Sequence, residues 1–446
     1  MSSLSLAAVA LALQHWLQQL QTDPLRLSVL LFPMLLFMEL PYYLAVLAGL
    51  MRHVLRSRLQ WYPRWPYYPS VSCLITCYSE GEAVAPTLHT LCEQDYPGSL
   101  EIIAMVDGAI QNHVTMQAVQ RFIRQHGKRY PHRRIIMLPK WQRGGRVSSL
   151  NAGFAMSRGE IVMALDGDTS FDNDMVSKAV RHFADPKVAA VSGTLTARNA
   201  NVSLVAYLQA MEYRLSLLMA KTGLSELGVL NNVSGAFGVF RASVLRQIGG
   251  WNTGTAEDLD LTLRLKQYVR RNDLRIVFEP RAVGHTDVPE TWRLFFLQRL
   301  RWDGDLAYLY LRKHRHAFSP RLTGWPHFIA LVWSGLLFQI VAPFTIFLYF
   351  IWLAFILPLP AYLALQLLVY FYYLLISVFN YLCYLVVSSS RPGVESVDLL
   401  WLPVFCLYML LLRLWSSVAI LNELLRRGHE ESSMAPWWVL KRTTRH

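Results

Sequence analysis

Long apolar stretches lie at the two ends of the chain, and a region of mixed polarity separates them. Residues 27–50 are long enough to cross a bilayer at about 1.5 Å per residue, so they predict a first span despite two prolines and Glu39. The segment Leu4–Leu20 is shorter and contains glutamine, which fits either an interfacial helix or an extra span. Later apolar blocks predict about three further spans, at 324–358, 360–388 and 399–424.

Basic residues flank these stretches on the side of the middle region, which the positive-inside rule places in the cytoplasm. The flanking residues are Arg52, Arg56, Arg58, Arg64, Arg312, Lys313, Arg315 and Arg321. Three C-terminal crossings would leave other basic residues outside, against the same rule, unless the block 324–358 is two elements around Pro343. Those residues are Arg426, Arg427, Lys441, Arg442 and Arg445. The sequence leaves this topology open.

The pattern divides the chain into four predicted parts. Residues 1–60 form an N-terminal membrane segment and 61–290 a cytoplasmic domain. Residues 291–323 form interface helices, and 324–446 form a C-terminal membrane region with a short tail.

The middle region contains short β-branched runs that alternate with helical patterns. The runs are VSCLITC (71–77), EIIAMVD (101–107), RIIML (134–138), EIVMALD (160–166) and VAAVSG (188–193). This alternation predicts an α/β domain with a mostly parallel sheet. Ligands bind beyond the carboxyl ends of strands in such sheets, and Asp107, Asp166 and Asp168 are predicted to lie at those ends.

Composition supports a protein that is partly embedded in a membrane. Hydrophobic residues make up 53% of the chain, charged residues 16%, and the mean hydropathy is +0.26. The formal net charge of +13 fits nucleic acid, anionic lipid or a phosphate-bearing substrate, but its placement beside apolar spans argues against nucleic acid. The five cysteines follow no metal-binding spacing and predict free thiols.

Two acidic motifs are the first candidates for chemistry. Asp166-Gly167-Asp168 could present Mg²⁺ or Mn²⁺ to a diphosphate, because two carboxylates leave a buried strand on either side of a glycine; an ordinary acidic turn is the alternative. Glu257-Asp258 opens a helical pattern, where acidic residues also serve as helix caps. A transfer to a hydroxyl needs a general base, and Asp258 is the candidate.

The third motif is Gln298-Arg299-Leu300-Arg301-Trp302. Gln298 shares a helical face with Arg301 or Trp302, three to four residues later. The guanidinium fork suits a diphosphate, and an indole can stack on a sugar. A belt of Arg and Trp at a membrane interface is the alternative.

The ordered motifs together resemble the membrane synthases of glycosyltransferase family 2, the group of cellulose, hyaluronan, chitin-oligomer and bacterial poly-N-acetylglucosamine synthases. The resemblance covers nearly the whole chain. It runs through YSE (78–80), DG (107–108), GGRVSSLNAGFAMSRGEIVMALDGDTSFDND, VSGAFGVFRASVLRQIGGW, AEDLDLTLRL and PETWRLFFLQRLRW. It implies a cytoplasmic Rossmann-like domain of the glycosyltransferase A type, with a mostly parallel sheet, joined to an α-helical transmembrane domain.

The resemblance also implies roles for individual residues. Donor-binding residues are expected to be Tyr78, Glu80, Asp107, Arg146, Arg299 and Arg301, and acceptor-binding residues Ser234, Gly235, Glu257, Gln298 and Trp302. Asp166 and Asp168 would act at the metal, and Asp258 would be the base. The sequence departs from the family pattern at Ser79, Val106, Arg146 and Ala256. Of these, Val106 replaces the first Asp of a usual pair, which weakens the assignment of uridine recognition to Asp107.

The implied reaction is an inverting displacement on a UDP-sugar, UDP-N-acetylglucosamine by resemblance, which extends an exopolysaccharide and passes it across the inner (plasma) membrane. Seven aromatic residues within 360–388 are candidates for lining a passage, and Arg413 is expected to face a cavity, a partner or the polymer unless it reaches the interface. A small membrane accessory subunit is an expectation by analogy. The alternatives are a transferase that adds one sugar to a lipid and a non-catalytic export component.

Overall fold

In the computed structural model, the described residues are 5–23, 35–59, 67–252, 254–431, 435–436 and 439. Within them, eight strands form one sheet in the order β3-β2-β1-β4-β7-β6-β8-β5. The strands are β1 (Val71–Cys77), β2 (Leu100–Asp107), β3 (Arg133–Lys140), β4 (Ile161–Asp166), β5 (Ser170–Phe171), β6 (Val188–Ala197), β7 (Phe237–Arg241) and β8 (Arg275–Thr286). All five predicted runs are strands, and the α/β prediction is confirmed.

The sheet is mixed, whereas the sequence pattern favoured a mostly parallel one. Strands β1 to β4 pair in parallel, and so do β6 and β8. Strand β7 lies antiparallel between β4 and β6, and the short β5 pairs antiparallel with β8. The sequence pattern missed β5, β7 and β8.

Helices cover both faces of the sheet, so the central strands are buried throughout, as their continuous apolar runs require. They are α3 (Val84–Cys92), α4 (His113–His126), α5 (Gly145–Met156), α6 (Met175–Val180), α7 (Leu204–Glu212), α8 (Ala220–Glu226), α9 (Ala242–Gln247) and α10 (Glu257–Arg271). A π-helical segment, Tyr213–Met219, joins α7 to α8. In β1, Cys73 and Ile75 pack into the core cluster on one face of the sheet, whereas Leu74 packs into the cluster that contains Leu261 of α10.

The apolar ends form a helical region against the sheet domain. Its helices are α1 (Leu6–Thr22), α2 (Leu40–Arg58), α11 (Trp292–Tyr308), α12 (Pro320–Thr323), α13 (Trp325–Ala330), α14 (Ala342–Ile356), α15 (Leu359–Val387), α16 (Pro392–Glu395) and α17 (Leu402–Arg426). The π-helical segments are Leu35–Glu39, Leu309–Lys313 and Leu331–Val341, and the 3₁₀ turns are Gly81–Ala83, Arg181–Ala184, Arg315–Ala317, Ser396–Trp401 and Gly428–Glu431.

Three helical stretches of the described chain are long and apolar enough to cross a membrane, as the sequence pattern predicted. They are Trp325–Ile356, Leu359–Val387 and Pro392–Arg426. The first is a single helical stretch, not two elements around Pro343. The predicted span 27–50 falls partly outside the described residues, since 24–34 are not described. The predicted boundaries of the four parts stay predictions.

Helix α2 meets the sheet domain at a close glycine contact. A Cβ atom on Gly49 would lie 2.0 Å from the carbonyl oxygen of Gly223 in α8, and one on Gly223 would lie 2.5 Å from the carbonyl oxygen of Val46. His53 and Arg56 extend this contact by pairing with Glu226, at 3.0 and 3.4 Å. Only residues without a side chain allow the two backbones to approach this closely.

Helix α1 packs along α15, and the indole Nε1 of Trp16 donates to the carbonyl oxygen of Ala361 at 3.2 Å. Arg413, in α17, lies inside the helical region: its guanidinium donates to the carbonyl oxygen of Phe338 at 2.8 Å and lies 3.9 Å from Glu39. Arg413 therefore faces protein partners, one of the environments that the sequence suggested.

Candidate active site

Arg146 joins three of the predicted site residues. It lies in the first turn of α5, and its guanidinium hydrogen-bonds the carboxylate of Asp166, at the end of β4. It also donates to Glu257 Oε1 at 2.5 Å and to the carbonyl oxygen of Gly235 at 2.7 Å. Burial lowers the pKa of Arg146, but Asp166 and Glu257 outweigh it and hold that pKa above its usual value. Arg146 therefore stays charged and links the acidic strand end to the start of α10.

The same residues fix the position of Asp258. Its Oδ2 accepts hydrogen bonds from Asn232 Nδ2 at 2.9 Å and from the amide of Gly235 at 3.1 Å. A Cβ atom on Gly235 would lie 3.2 Å from Glu257 Oε1 and 3.3 Å from Asp258 Cβ, so glycine allows this loop to approach the two acids. Ser234 lies beside it and donates from its amide to Ser192 Oγ at 3.2 Å. The four residues are thus brought together as the sequence predicted, while their roles stay predictions.

Asp258 follows a strained backbone position and has neighbours with shifted pKa values. Ala256, directly before Glu257, has φ +42° in the left-handed region, which is a strained conformation for alanine. Burial raises the pKa of Glu257, with Arg146 opposing this shift and Asp258 adding to it. Burial also lowers the pKa of Lys221 to about 8, although the Asp258 carboxylate works in the opposite direction. An ionised carboxylate at position 258 therefore has an ammonium group nearby.

Three carboxyl groups, those of Glu80, Asp166 and Asp168, lie around Gly167. Burial, with Asp166 adding to it, raises the pKa of Asp168 to about 6. Burial also raises the pKa of Glu80 to about 7, and one oxygen of its carboxylate has no hydrogen-bond partner among the described residues. Oxygen ligands of this kind suit Mg²⁺ or Mn²⁺, so the chemistry of this group fits a divalent cation.

The geometry of a complete metal site is not assembled in the described part of the chain. No group of three or more His, Cys, Asp or Glu side chains there is arranged to hold a metal ion, and Asp166 is engaged by Arg146. A bound cation would therefore draw further ligands from elsewhere, and the oxygens of a diphosphate are of the right chemical type. The metal roles of Asp166 and Asp168 stay predictions.

Asp107 lies at the end of β2, but both of its oxygens are occupied. Oδ1 accepts from Lys140 Nζ at 2.7 Å and from the amide of Gly144 at 2.9 Å, and Oδ2 accepts from the amide of Gly145 at 2.8 Å. Gly145 has φ +81°, which favours glycine. Asp107 therefore holds the turn that delivers Arg146, and its contact with uridine stays a prediction.

Tyr78 follows β1 and is the most open of the predicted donor-binding residues at this edge. The residue is 39% exposed, and the Arg143 guanidinium stacks over its ring with Cζ 4.0 Å from the ring centre. A flat aromatic surface of this kind can hold a planar base. Arg143 would have to move aside for a base to stack there, so this role too stays a prediction.

The QRLRW motif lies on α11 and forms a separate cluster. Arg299 is 8% exposed, donates to both oxygens of Glu212 at 2.9 and 2.7 Å, and lies 4.8 Å from the ring centre of Trp302. Tyr408 of α17 donates to the same Glu212 at 2.7 Å. Donor binding by Arg299 would require breaking this buried pair, so its role as donor ligand has no support in the geometry.

The other residues of the motif are more available. Gln298 Oε1 accepts from Gln209 Nε2 at 2.9 Å, and Trp302 is 39% exposed. Burial raises the pKa of Asp305 to about 7, and the charge of Arg301 opposes the shift. Arg301 therefore lies close enough to Asp305, one turn further along α11, to act on its charge, and contact of Arg301 with the donor stays a prediction.

Sequence reasoning missed several residues of these clusters. They are Thr76, whose hydroxyl accepts from Arg146 at 2.6 Å, and Asn232, Lys221 and Glu212. A signal was available for Glu212 and Lys221, because each is a charged residue within a mostly apolar helical run. Asn232 offered no comparable signal.

Known proteins resemble this chain in sequence and in fold. The profile of the family described as "Glycosyltransferase like family 2" matches residues 69–304. The chain is 32% identical over 234 residues to a poly-beta-1,6-N-acetyl-D-glucosamine synthase from Staphylococcus epidermidis, covering 52% of this chain and 53% of that protein. It is 30% identical over 233 residues to the synthase of the same name from Staphylococcus aureus strain COL, with the same coverage. The match thus spans about half the length of these relatives.

A solved structure supports the fold assignment. The mannosyltransferase PcManGT from Pyrobaculum calidifontis, solved with GDP-Man and Mn²⁺, superposes with a TM-score of 0.51 at 18% identity, covering 86% of this chain and 98% of that one. At this identity the likeness concerns the fold, and it confirms the predicted glycosyltransferase A type. The profile match covers more than half of the chain. The chain belongs to glycosyltransferase family 2.

Proposed function

We propose that this protein is an inverting β-glycosyltransferase that extends a polysaccharide from a UDP-sugar. The observation that carries the proposal is the Arg146 network, which ties Asp166, at the end of β4, to Glu257, next to Asp258. One guanidinium thus connects an acid suited to the donor side with the acids suited to the acceptor side. A transferase requires these two sets of groups at adjacent positions.

In the proposed reaction, Asp258 accepts the proton of the acceptor hydroxyl. The hydroxyl oxygen attacks the anomeric carbon from the face opposite the diphosphate, the bond from that carbon to the diphosphate oxygen breaks, and UDP leaves with the electron pair. An α-linked donor then gives a β-linked product. The hydrogen bonds from Asn232 and the Gly235 amide keep Asp258 oriented toward the loop that faces the acceptor.

Arg146 and Arg301 would neutralise the negative charge that develops on the departing UDP. Mg²⁺ or Mn²⁺, held at Asp166 and Asp168 beside the unpartnered oxygen of Glu80, would supply Lewis-acid stabilisation of the diphosphate. Trp302, exposed on α11, offers a ring on which the terminal sugar of the acceptor can stack.

N-acetylglucosamine is the proposed sugar, because the staphylococcal relatives are named as poly-beta-1,6-N-acetyl-D-glucosamine synthases. The three apolar helical stretches support a multi-pass protein of the inner (plasma) membrane with its catalytic domain in the cytoplasm. In that setting α11 lies between the sheet domain and the spans, where it could pass a growing polymer to the membrane. A small accessory subunit stays a prediction.

The test uses the full chain reconstituted in lipid, with Mg²⁺ or Mn²⁺ and each common UDP-sugar in turn. UDP release and product length are followed for the unmodified protein, Asp258→Asn and Asp273→Asn. Asp273 is 87% exposed at the surface and is the matched control. We expect long polymer from one donor, with a loss of about 10²–10⁴-fold in Asp258→Asn and none in Asp273→Asn.

Other outcomes separate the alternatives. Addition of a single sugar to a lipid would contradict polymerisation while leaving the base assignment in place. Full activity in Asp258→Asn would contradict the base assignment. No turnover of any donor would favour the non-catalytic alternative.

A further inference from the structure

Helix α17 is apolar enough to cross a membrane, but a crossing there creates a conflict of charge. The spans Trp325–Ile356 and Leu359–Val387 carry the chain away from the sheet domain and back. A third crossing by α17 would then place the exposed Arg426 and Arg427 on the far side, against the preference of basic residues for the cytoplasmic side. The contacts of α17 resolve this conflict.

The beginning of α17 is held at the sheet domain. Asp398, just before the helix, pairs with Arg214 and accepts a hydrogen bond from Tyr207 at 2.5 Å. One and a half turns into α17, Tyr408 reaches Glu212. The end of α15 and the start of α17 therefore lie on the same side of the membrane as the catalytic residues.

The rest of α17 stays beside α11 instead of leaving it. Trp415 Nε1 donates to the carbonyl oxygen of Phe296 at 3.0 Å, and Ser416 donates to Asp303 at 2.7 Å. Near the end of the helix, Glu423 pairs with Arg312 at 3.3 Å. Just beyond it, the His429 ring stacks on Tyr308 with their centres 3.9 Å apart. As the chain advances from Trp415 to Ser416 and Glu423, its partners advance from Phe296 to Asp303 and to Arg312 in the segment that continues α11. The two helices therefore run side by side in the same direction.

Helix α11 in turn lies flat against the sheet domain. Its first half is bonded to α7 through Gln298 and Arg299, and its second half shares a core cluster with Leu259 and Leu263 of α10. Twenty-five residues of α17 span about 37 Å. The contacts of Tyr408 near the beginning and of Trp415 to Glu423 along the second half hold both ends of α17 on the domain side, while Arg413 between them contacts Phe338 of the first span. A helix whose two ends are held on the same side cannot also cross a hydrocarbon layer about 30 Å thick.

The outward face of α17 is a continuous apolar stripe at helical spacing. Its exposed residues are Val404, Leu407, Leu411, Val418, Leu421 and Leu425, and exposed Arg426 and Arg427 follow them. Ser416 and Glu423 lie on the opposite face and Tyr408 lies between the two faces, and all three bind the domain side. An apolar stripe opposite a polar, anchored face and next to basic residues is typical of a helix that lies in the membrane interface.

We propose that α17 lies in the bilayer surface below the catalytic domain and does not cross it. Its apolar stripe inserts among the lipids of the leaflet on the side of the catalytic domain. This is the leaflet from which the span 325–356 leaves and to which the span 359–387 returns. The arginines after the stripe face anionic headgroups, and Glu431 stays on the catalytic side. The proposal rests on the proposed membrane location but not on the proposed activity.

Single-cysteine labelling tests this topology in sealed vesicles. Exposed positions on four parts of the chain are replaced: Lys128→Cys in the sheet domain, Pro358→Cys between the first two spans, Ser390→Cys before α17 and Glu431→Cys after it. A membrane-impermeant maleimide is added to vesicles of each orientation. The unmodified protein, whose described cysteines are buried or half-buried, is the blank.

We expect positions 128, 390 and 431 to be labelled from one side and position 358 from the other. Labelling of 431 from the side that labels 358 would show that α17 crosses and would overturn the proposal. Labelling of 390 from that side would overturn it as well, because α15 would then not return to the domain. Both results are independent of enzyme turnover, so they are separate from a failure of the proposed function.

Discussion

Replacing Arg146 by methionine removes the cation that links the two sets of acids while keeping a side chain of similar length. The substitution deletes hydrogen bonds to Asp166, Glu257, Thr76 and the Gly235 carbonyl. Glu257 is only 4% exposed, so water cannot replace the lost partner. The variant leaves a buried carboxylate without its counter-charge.

The cost follows from the burial of the pair. Removing one partner of a buried ion pair destabilises a protein by about 3–5 kcal/mol, which corresponds to a fall in melting temperature of roughly 6–20 °C for a domain of this size. The matched control is Arg198→Met, which breaks an ion pair with Asp287 whose side chains are 37% and 49% exposed. An exposed pair contributes about 0–1 kcal/mol.

The loss in Arg146→Met should depend on pH. In the variant the pKa of Glu257, already raised by burial, rises further because Arg146 no longer opposes the shift. The folded variant then holds a proton that the unfolded chain releases, and its stability falls as the pH rises through this raised pKa. Melting curves in detergent at pH 5 and pH 8 should show the larger difference from the unmodified protein at pH 8. A loss equal to that of Arg198→Met, or one independent of pH, would falsify this reasoning.

Three further predictions concern other parts of the molecule. Because the pKa of Glu80 is about 7 in the fold, its ionisation should lower the stability of the ligand-free protein as the pH rises from about 4.5 to 7; Glu80→Gln should flatten the melting temperature over this range, and an unchanged slope would contradict the assignment. Gly223→Ala forces a Cβ to 2.5 Å from a backbone oxygen of α2 and should lower the melting temperature, whereas Gly393→Ala, with open space around it, should not. Trp302→Ala should shorten the polymer more than it slows UDP release from the first transfer, and equal effects would exclude a role in holding the chain.

The sequence predicted those parts of the fold that depend on local patterns. Five strands are continuous apolar runs that end at polar residues, and each was identified. The other three escaped for physical reasons: β5 has two residues, β7 contains Gly238, and β8 contains Pro280 and Gly284, which weaken a strand pattern. Antiparallel insertion of β7 between β4 and β6 depends on partners distant in sequence and leaves no local signal.

The sequence predicts which residues belong to the candidate site, but it does not predict which of their side chains pair with each other. Asp166, Arg146 and Asp258 belong to recognisable motifs, and the fold brings them to one edge of the sheet. That Arg299 is bound by Glu212, 87 positions away in the chain, depends on how α7 meets α11. Sequence spacing carries no information on such a pairing, so the sequence could not predict that Glu212 engages Arg299, and donor binding by Arg299 stays a prediction.

The Arg146 network also has a consequence for the order in which ligands bind. One guanidinium cannot serve Asp166, Glu257 and the Gly235 carbonyl and also contact a diphosphate with full strength. A ligand that draws Arg146 toward the strand end therefore loosens the loop at Gly235 and changes the affinity of that loop for its own ligand. Thermodynamic linkage makes the effect reciprocal: a ligand seated at Gly235 must change the affinity for the first ligand by the same factor. A single buried arginine is thus sufficient to make the two halves of the site cooperative without any movement of the sheet.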